Sequence, residues 1–183
     1  VKKVFDFYAN GTFGTGSNKC FFNYLFCEYG VYYSCGNSGL PWHNENQFFG
    51  SHVRGNYGVY TVKGESQTDP YNGNKFINFS FEGIVCAVKA EFFQYNHFEN
   101  CRMAESLNGS YWIDLAADCH SNVFKISTGI NKNQINDLNN SIYPNVYNTQ
   151  VFSATVNGSA VAFGLGGNVY KQAAGWTAEK VYA

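Results

Sequence analysis

Apolar and polar residues along this chain alternate in short runs and do not recur every three or four positions. Residues 75–81, KFINFSF, place Ile77, Phe79 and Phe81 on one face and Asn78 and Ser80 on the other. That is the period-two pattern of a half-buried strand. Further strands are predicted at 58–64 (GVYTVKG), 83–90 (GIVCAVKA), 111–116 (YWIDLA), 122–127 (NVFKIS) and 167–172 (GNVYKQ). Three Asn-Gly dipeptides, at Asn10-Gly11, Asn108-Gly109 and Asn157-Gly158, each separate two such runs. They predict hairpins, because a type I′ turn needs positive φ at both central residues and Asn-Gly tolerates that best. Residues 130–140 are apolar only at Ile130, Ile135 and Leu138, enough for at most a short helix or a turn-rich crossover. Gly, Asn and Asp69-Pro70 punctuate the rest at intervals of about ten residues, as in sandwiches and barrels. The pattern shows no internal repeat, linker or low-complexity tract. It predicts an all-β antiparallel β-sandwich with little helix, one domain spanning residues 1–183.

Composition strengthens the β reading. The chain has 34 aromatic residues and 23 Asn against six Leu and three Pro. Aromatic and β-branched side chains fit a pleated surface better than a helix. A net charge of −1, with the 12 Lys and Arg scattered along the chain, lacks the clustered positive charge a nucleic-acid partner needs. No apolar run is long enough to span a bilayer, and no signal peptide is recognisable, so the chain reads as a mature or excised ectodomain.

Six cysteines, Cys20, Cys27, Cys35, Cys86, Cys101 and Cys119, form an even set without a C-x-x-C pair. They predict disulfides and no zinc site, and all precede residue 120, which leaves the last third to hold by packing. Five glycosylation sequons, at Asn10, Asn78, Asn108, Asn139 and Asn157, point the same way. Together they place the protein in an oxidising, glycosylating compartment outside the cell.

The stretch GNSGLPW raises the question of a nucleophile at Ser38 or Cys35. A chymotrypsin-like order requires the base and its carboxylate to precede the nucleophile. All four histidines, His43, His52, His97 and His120, follow Ser38. No metal set, phosphate cradle or selected pair of carboxylates emerges, so no enzyme, metal or cofactor is expected. The best candidate chemistry is a binding loop in which Trp42, His43, Asn44 and Asn46, with Arg54 and Tyr57 beyond, supply an apolar ring, amides and a guanidinium. An arginine there would pair bidentately with a sialic-acid carboxylate.

One stretch resembles a known family. The aromatic pair before Cys35, the interval to FFGSHVRGNYG at 48–58, and TDPYNG at 68–73 are similar to the extra N-terminal S1 domain (domain 0) of alphacoronavirus spike glycoproteins. The resemblance covers residues 32–88. It implies a galectin-like sandwich in a homotrimeric fusion protein on the virion surface, attaching to a host glycan or protein receptor. It assigns no role to any residue here. The alternatives are a secreted cysteine-rich effector or toxin acting by protein contact, and a Ser or Cys hydrolase.

Overall fold

An asparagine followed two positions later by an inward side chain occurs six times: Asn18/Cys20, Asn46/Phe48, Asn74/Phe76, Asn96/Phe98, Asn122/Phe124 and Asn145/Tyr147. In the computed structural model these pairs lie one above another, at steps of 28, 28, 22, 26 and 23 residues. The chain winds as a parallel β-solenoid. Five steps at the usual strand spacing of about 4.8 Å give a height of about 24 Å. Described are residues 1–11, 14–39, 41–104, 111–127, 134–149, 152–156, 159–163 and 168–170, and the side chains of 1–11, 14–36, 41–104, 111–127 and 134–147.

The described strands line four walls of the coil. The first wall stacks β1 (Lys3–Gly11), the second half of β4 (Tyr24–Gly39), the second half of β7 (His52–Val62), the second half of β10 (Ser80–Ala90), β13 (Ile113–Leu115) and β15 (Ile135–Asp137). A short wall holds β2 (Thr15–Gly16) on β5 (His43–Asn44), and β8 (Tyr71–Asn72) on β11 (Phe93–Gln94). The third stacks β3 (Lys19–Phe21), β6 (Gln47–Phe49), β9 (Lys75–Ile77), β12 (His97–Met103), β14 (Val123–Ile126) and β16 (Val146–Thr149). The fourth is formed by the first halves of β4, β7 and β10 and the end of β12.

Because the register is parallel, like positions stack on like. On the first wall the inward column runs Phe5, Val31, Val59, Val88, Ile113, Ile135. On the fourth it runs Leu25, Val53, Phe81, Met103. The third carries a ring stack, Phe48–Phe76–Phe98–Phe124–Tyr147, with centroids 5.3, 4.5, 4.8 and 5.1 Å apart and planes within 15°. Aromatic pairs of this kind contribute about 0.5–1.5 kcal/mol each beyond their buried area.

The corner before this wall is held by the asparagines. Each Oδ1 accepts the backbone N–H and the side-chain Nδ2 of the asparagine one coil earlier. Asn96 Oδ1 takes both from Asn74 at 2.9 and 3.0 Å, and Asn122 Oδ1 takes both from Asn96 at 3.0 and 3.1 Å. From Asn46 onward each Nδ2 also reaches a carbonyl of the coil before, as Asn122 does to Phe93 at 2.8 Å. The residue ahead of five of the six is left-handed: Ser17, Glu45, Gly73, Tyr95 and Ser121, with φ between 55° and 65°. That twist turns the chain, leaving a corner N–H that no ladder partner can meet, and the amide meets it. Aspartate could accept that N–H but lacks the Nδ2 donor that carries the ladder on to the next coil. The ladder closes on Asp137, whose Oδ1 accepts Asn145 Nδ2 at 3.2 Å while its Oδ2 accepts the Tyr147 hydroxyl at 2.9 Å.

The antiparallel, galectin-like sandwich expected from the sequence is therefore overturned. Among the described residues antiparallel pairing is confined to β16 with β19 (Asn168–Tyr170) and β17 (Phe152–Val156) with β18 (Ser159–Phe163). The latter is the one predicted hairpin that forms. The chain does not fold back at Asn10-Gly11, since β1 pairs in parallel with β4. β12 and β13, expected as a hairpin around Asn108, both pair with β10 instead. The strand expected over 75–81 is broken at Asn78, which turns a corner at φ 61°. The disulfides are likewise overturned: all six cysteines are free thiols, and five are buried. A repeat, not recognised in the sequence, organises everything. No described helix is long and apolar enough to cross a membrane.

Removing one rung isolates this interaction. Asn96→Ala strips Asn74 of the acceptor for two donors and is expected to destabilise the fold by about 3–5 kcal/mol in urea denaturation, because each buried unpaired donor costs about 1–3 kcal/mol. Asn140→Ala, at an exposed side chain, is expected to change stability by less than about 0.5 kcal/mol.

Candidate functional site

Trp42 and Asn44 flank His43 at the start of the second coil and point outward where His43 points in. His43 is fully buried. Its ring packs nearly parallel to those of Tyr33 and Tyr71, with centroids 5.3 and 5.7 Å away. Nε2 lies 3.0 Å from the Ser34 carbonyl, which only accepts, so this nitrogen carries the proton; Nδ1 accepts the Thr15 hydroxyl at 2.7 Å. Burial holds its pKa below the ordinary histidine value. The residue pins β5 to the core and does not face a ligand.

Trp42 is half-buried. Its carbonyl accepts Thr15 N–H at 3.0 Å, and its ring lies against the backbone of Gly14 and Gly16. A Cβ at Gly14 would sit 2.5 Å from Trp42 Cδ2, and one at Gly16 2.8 Å from Cζ3. Glycine at both positions lets the indole lie flush on the coil. The ring then forms one side of an open groove of about 470 Å³, shared with Gly16, Ser17, Asn44, Glu45 and Asp69.

The polar residues of the groove are fixed by the same winding. Glu45 is left-handed (φ 59°), donates its N–H to Asn72 O at 3.0 Å, and its Oε2 accepts the Ser17 hydroxyl at 3.4 Å. Asn44 Oδ1 accepts Asn72 N–H at 3.2 Å. The Asp69 carbonyl is held by buried Gln67, whose Nε2 donates at 2.7 Å. An aromatic ring, two carboxylates, an amide and a hydroxyl thus share one concave surface.

The other expected ligand residues lie elsewhere. Asn46 is a fully buried rung of the ladder. Arg54 is exposed on the fourth wall, over the bend at Gly83. Tyr57 belongs to an outward quartet with Tyr29, Tyr32 and Tyr60, in which Tyr29–Tyr57 and Tyr32–Tyr60 stack at 5.4 and 5.7 Å. This quartet was not singled out from the sequence. Its signal is there, as tyrosines three apart repeated 28 residues later. Beside it a smaller hollow of about 140 Å³ carries Tyr60, Lys89, Glu91 and Asp114, where Lys89 and Asp114 pair at 3.6 Å.

Of the sequons, Asn10 and Asn78 are exposed, and Asn78 Oδ1 accepts Asn100 Nδ2 at 2.8 Å. Asn139 is buried, with Nδ2 donating to Tyr143 O at 2.8 Å. Asn108 and Asn157 lie outside the described residues, as does the Ser38 side chain. Burial pushes the Cys35 thiol up, away from the thiolate that a nucleophile requires. Burial likewise raises Cys86 and Cys101 to about 12. Among the described residues no three His, Cys, Asp or Glu are grouped to hold a metal ion.

No family model matches the chain, and no curated protein or solved structure does either.

The lowered His43 pKa has a defined consequence. The folded state favours the neutral ring and the unfolded state takes up the proton first, so this stability is complete above about pH 6.5 and is lost as pH falls below it. His97 and His120, also lowered chiefly by burial, act in the same direction. The urea midpoint is expected to hold between pH 8 and 7 and to decline from pH 6.5 downward. His43→Gln should flatten part of that decline. An unchanged slope would contradict the assignment.

Proposed function

We propose that the chain is a non-enzymatic glycan-recognition module, with the solenoid as a rigid frame for the Trp42 groove. The observation that carries this reading is the sharing of one concavity by a half-buried indole and the side chains of Ser17, Asn44, Glu45 and Asp69. A sugar ring offers an apolar C–H face and a rim of hydroxyls. An indole meets the first, and carboxylate and amide oxygens accept from the second. Such sites characteristically combine an apolar surface with a few placed polar groups.

The tyrosine quartet is a poorer platform for a sugar. Its rings stack in pairs along the coil axis, so each covers one face of its neighbour, and the Lys3 ammonium lies 3.6 Å from the centre of the Tyr32 ring. Exposed sequon asparagines at Asn10 and Asn78 support an extracellular or virion-surface setting. Of what the resemblance at residues 32–88 implied, the partner class, a glycan at a host surface, agrees with this reading; the galectin-like architecture does not.

Glycan-array screening of the whole chain, followed by calorimetry on the best binder, tests the proposal. Trp42→Ala is expected to weaken binding at least tenfold with the circular-dichroism spectrum unchanged, and Tyr57→Ala to leave it within twofold. Binding indifferent to Trp42 would refute the site; an array without a single binder would refute the function.

A further inference from the structure

The charge of the groove narrows its ligand. Glu45 and Asp69 are both exposed at the opening, and the described residues lining it include no Lys, Arg or His. Arg54, the guanidinium expected to meet a sialic-acid carboxylate, stands on the fourth wall, reached through β7, while the groove is built from the coil segments around β2 and β5. Nor does any described salt bridge neutralise Glu45 or Asp69; those formed use Asp6, Glu82, Glu99, Asp114 and Asp118. The Ser17 hydroxyl that reaches Glu45 adds a hydrogen bond and no charge.

We infer that the groove selects saccharides by charge, preferring amino-bearing sugars over neutral ones and neutral ones over acidic ones. This rests on the glycan reading above and specifies its ligand class. Two exposed carboxylates attract an ammonium group and repel a carboxylate. At about 6 Å, with an effective dielectric constant between that of a protein surface and that of water, one such contact shifts affinity by about threefold to a hundredfold. Sialylated glycans, the ligands that an arginine-centred site would favour, therefore rank last. The selection is electrostatic between exposed groups, so it fades as salt shortens the Debye length from about 10 Å at 0.1 M to about 3 Å at 1 M.

Calorimetry on the full chain with matched probes tests the ranking. The probes are a chitosan tetramer with free amines, its fully N-acetylated counterpart, and a lactosamine oligomer with and without terminal sialic acid. The expected result is at least fivefold tighter binding of the amine form than of its acetylated partner, and at least tenfold weaker binding of the sialylated form than of its parent. Glu45→Gln with Asp69→Asn, which keep shape and hydrogen-bonding capacity, should bring both ratios toward one while the acetylated tetramer still binds. Loss of both ratios in 1 M salt would support the same cause. Sialylated glycan binding as well as or better than its parent overturns the charge selection and leaves the glycan reading intact. Ratios that survive in the double variant also overturn it. Failure of every probe, together with an empty array, would remove the glycan reading itself.

Discussion

The hydrogen bond from one corner asparagine to the next sustains this structure. A parallel coil must turn between walls without a hairpin, and each turn buries a backbone N–H that no strand can pair. Here a left-handed residue makes the turn and the following asparagine answers the N–H of the coil before it. The arrangement propagates: Asn46, Asn74, Asn96, Asn122 and Asn145 each supply the acceptor for their predecessor. Because the side chain has both an acceptor and a donor, the ladder fixes register as well as satisfying the corner. Register then places Phe48, Phe76, Phe98, Phe124 and Tyr147 in one stack. Asp137 ends both series at once, taking the last amide on one oxygen and the last hydroxyl on the other.

That rigidity gives the groove its shape. Trp42 lies flush because Gly14 and Gly16 offer no Cβ, and His43 anchors the strand between the two outward residues. Glu45 is the left-handed residue that precedes Asn46, so a corner of the frame is also a wall of the groove. Structural and recognition roles alternate along one short segment: Trp42 out, His43 in, Asn44 out, Asn46 in. A solenoid does this readily, because each coil is held by its neighbours and its outward side chains are free to vary.

The sequence disclosed the strands and concealed their partners. The run 58–64 overlaps the end of β7 and 83–90 falls within β10, because alternation reports which side chains are half-buried. Alternation says nothing about whether the neighbouring strand runs parallel. The corners were hidden too: Ser17, Glu45, Tyr95 and Ser121 take left-handed φ without being glycine, so no turn signal marks them. Asn-Gly misled at Asn10-Gly11, where a left-handed Gly11 ends a strand that never turns back. The N-x-aromatic recurrence was present, but coils of 22 to 28 residues break any fixed period. The first rung, Asn18/Cys20, lacks the aromatic as well. Cysteine count suggested pairing, yet in a solenoid an inward cysteine is one more small apolar side chain in its column. Within the candidate site, Trp42 and Asn44 were legible as an aromatic beside an amide. Asp69, some 25 residues away, is brought in by the coil and could not be read locally.

Methyl NMR on the intact chain tests the parallel coil most directly. Val31, Val59, Val88 and Ile113 come from four different strands and form one inward column. The account predicts sequential methyl contacts from Val31 to Val59, Val59 to Val88 and Val88 to Ile113. Absence of this series, or close Hα–Hα contacts of antiparallel pairing between β4 and β7, would contradict it.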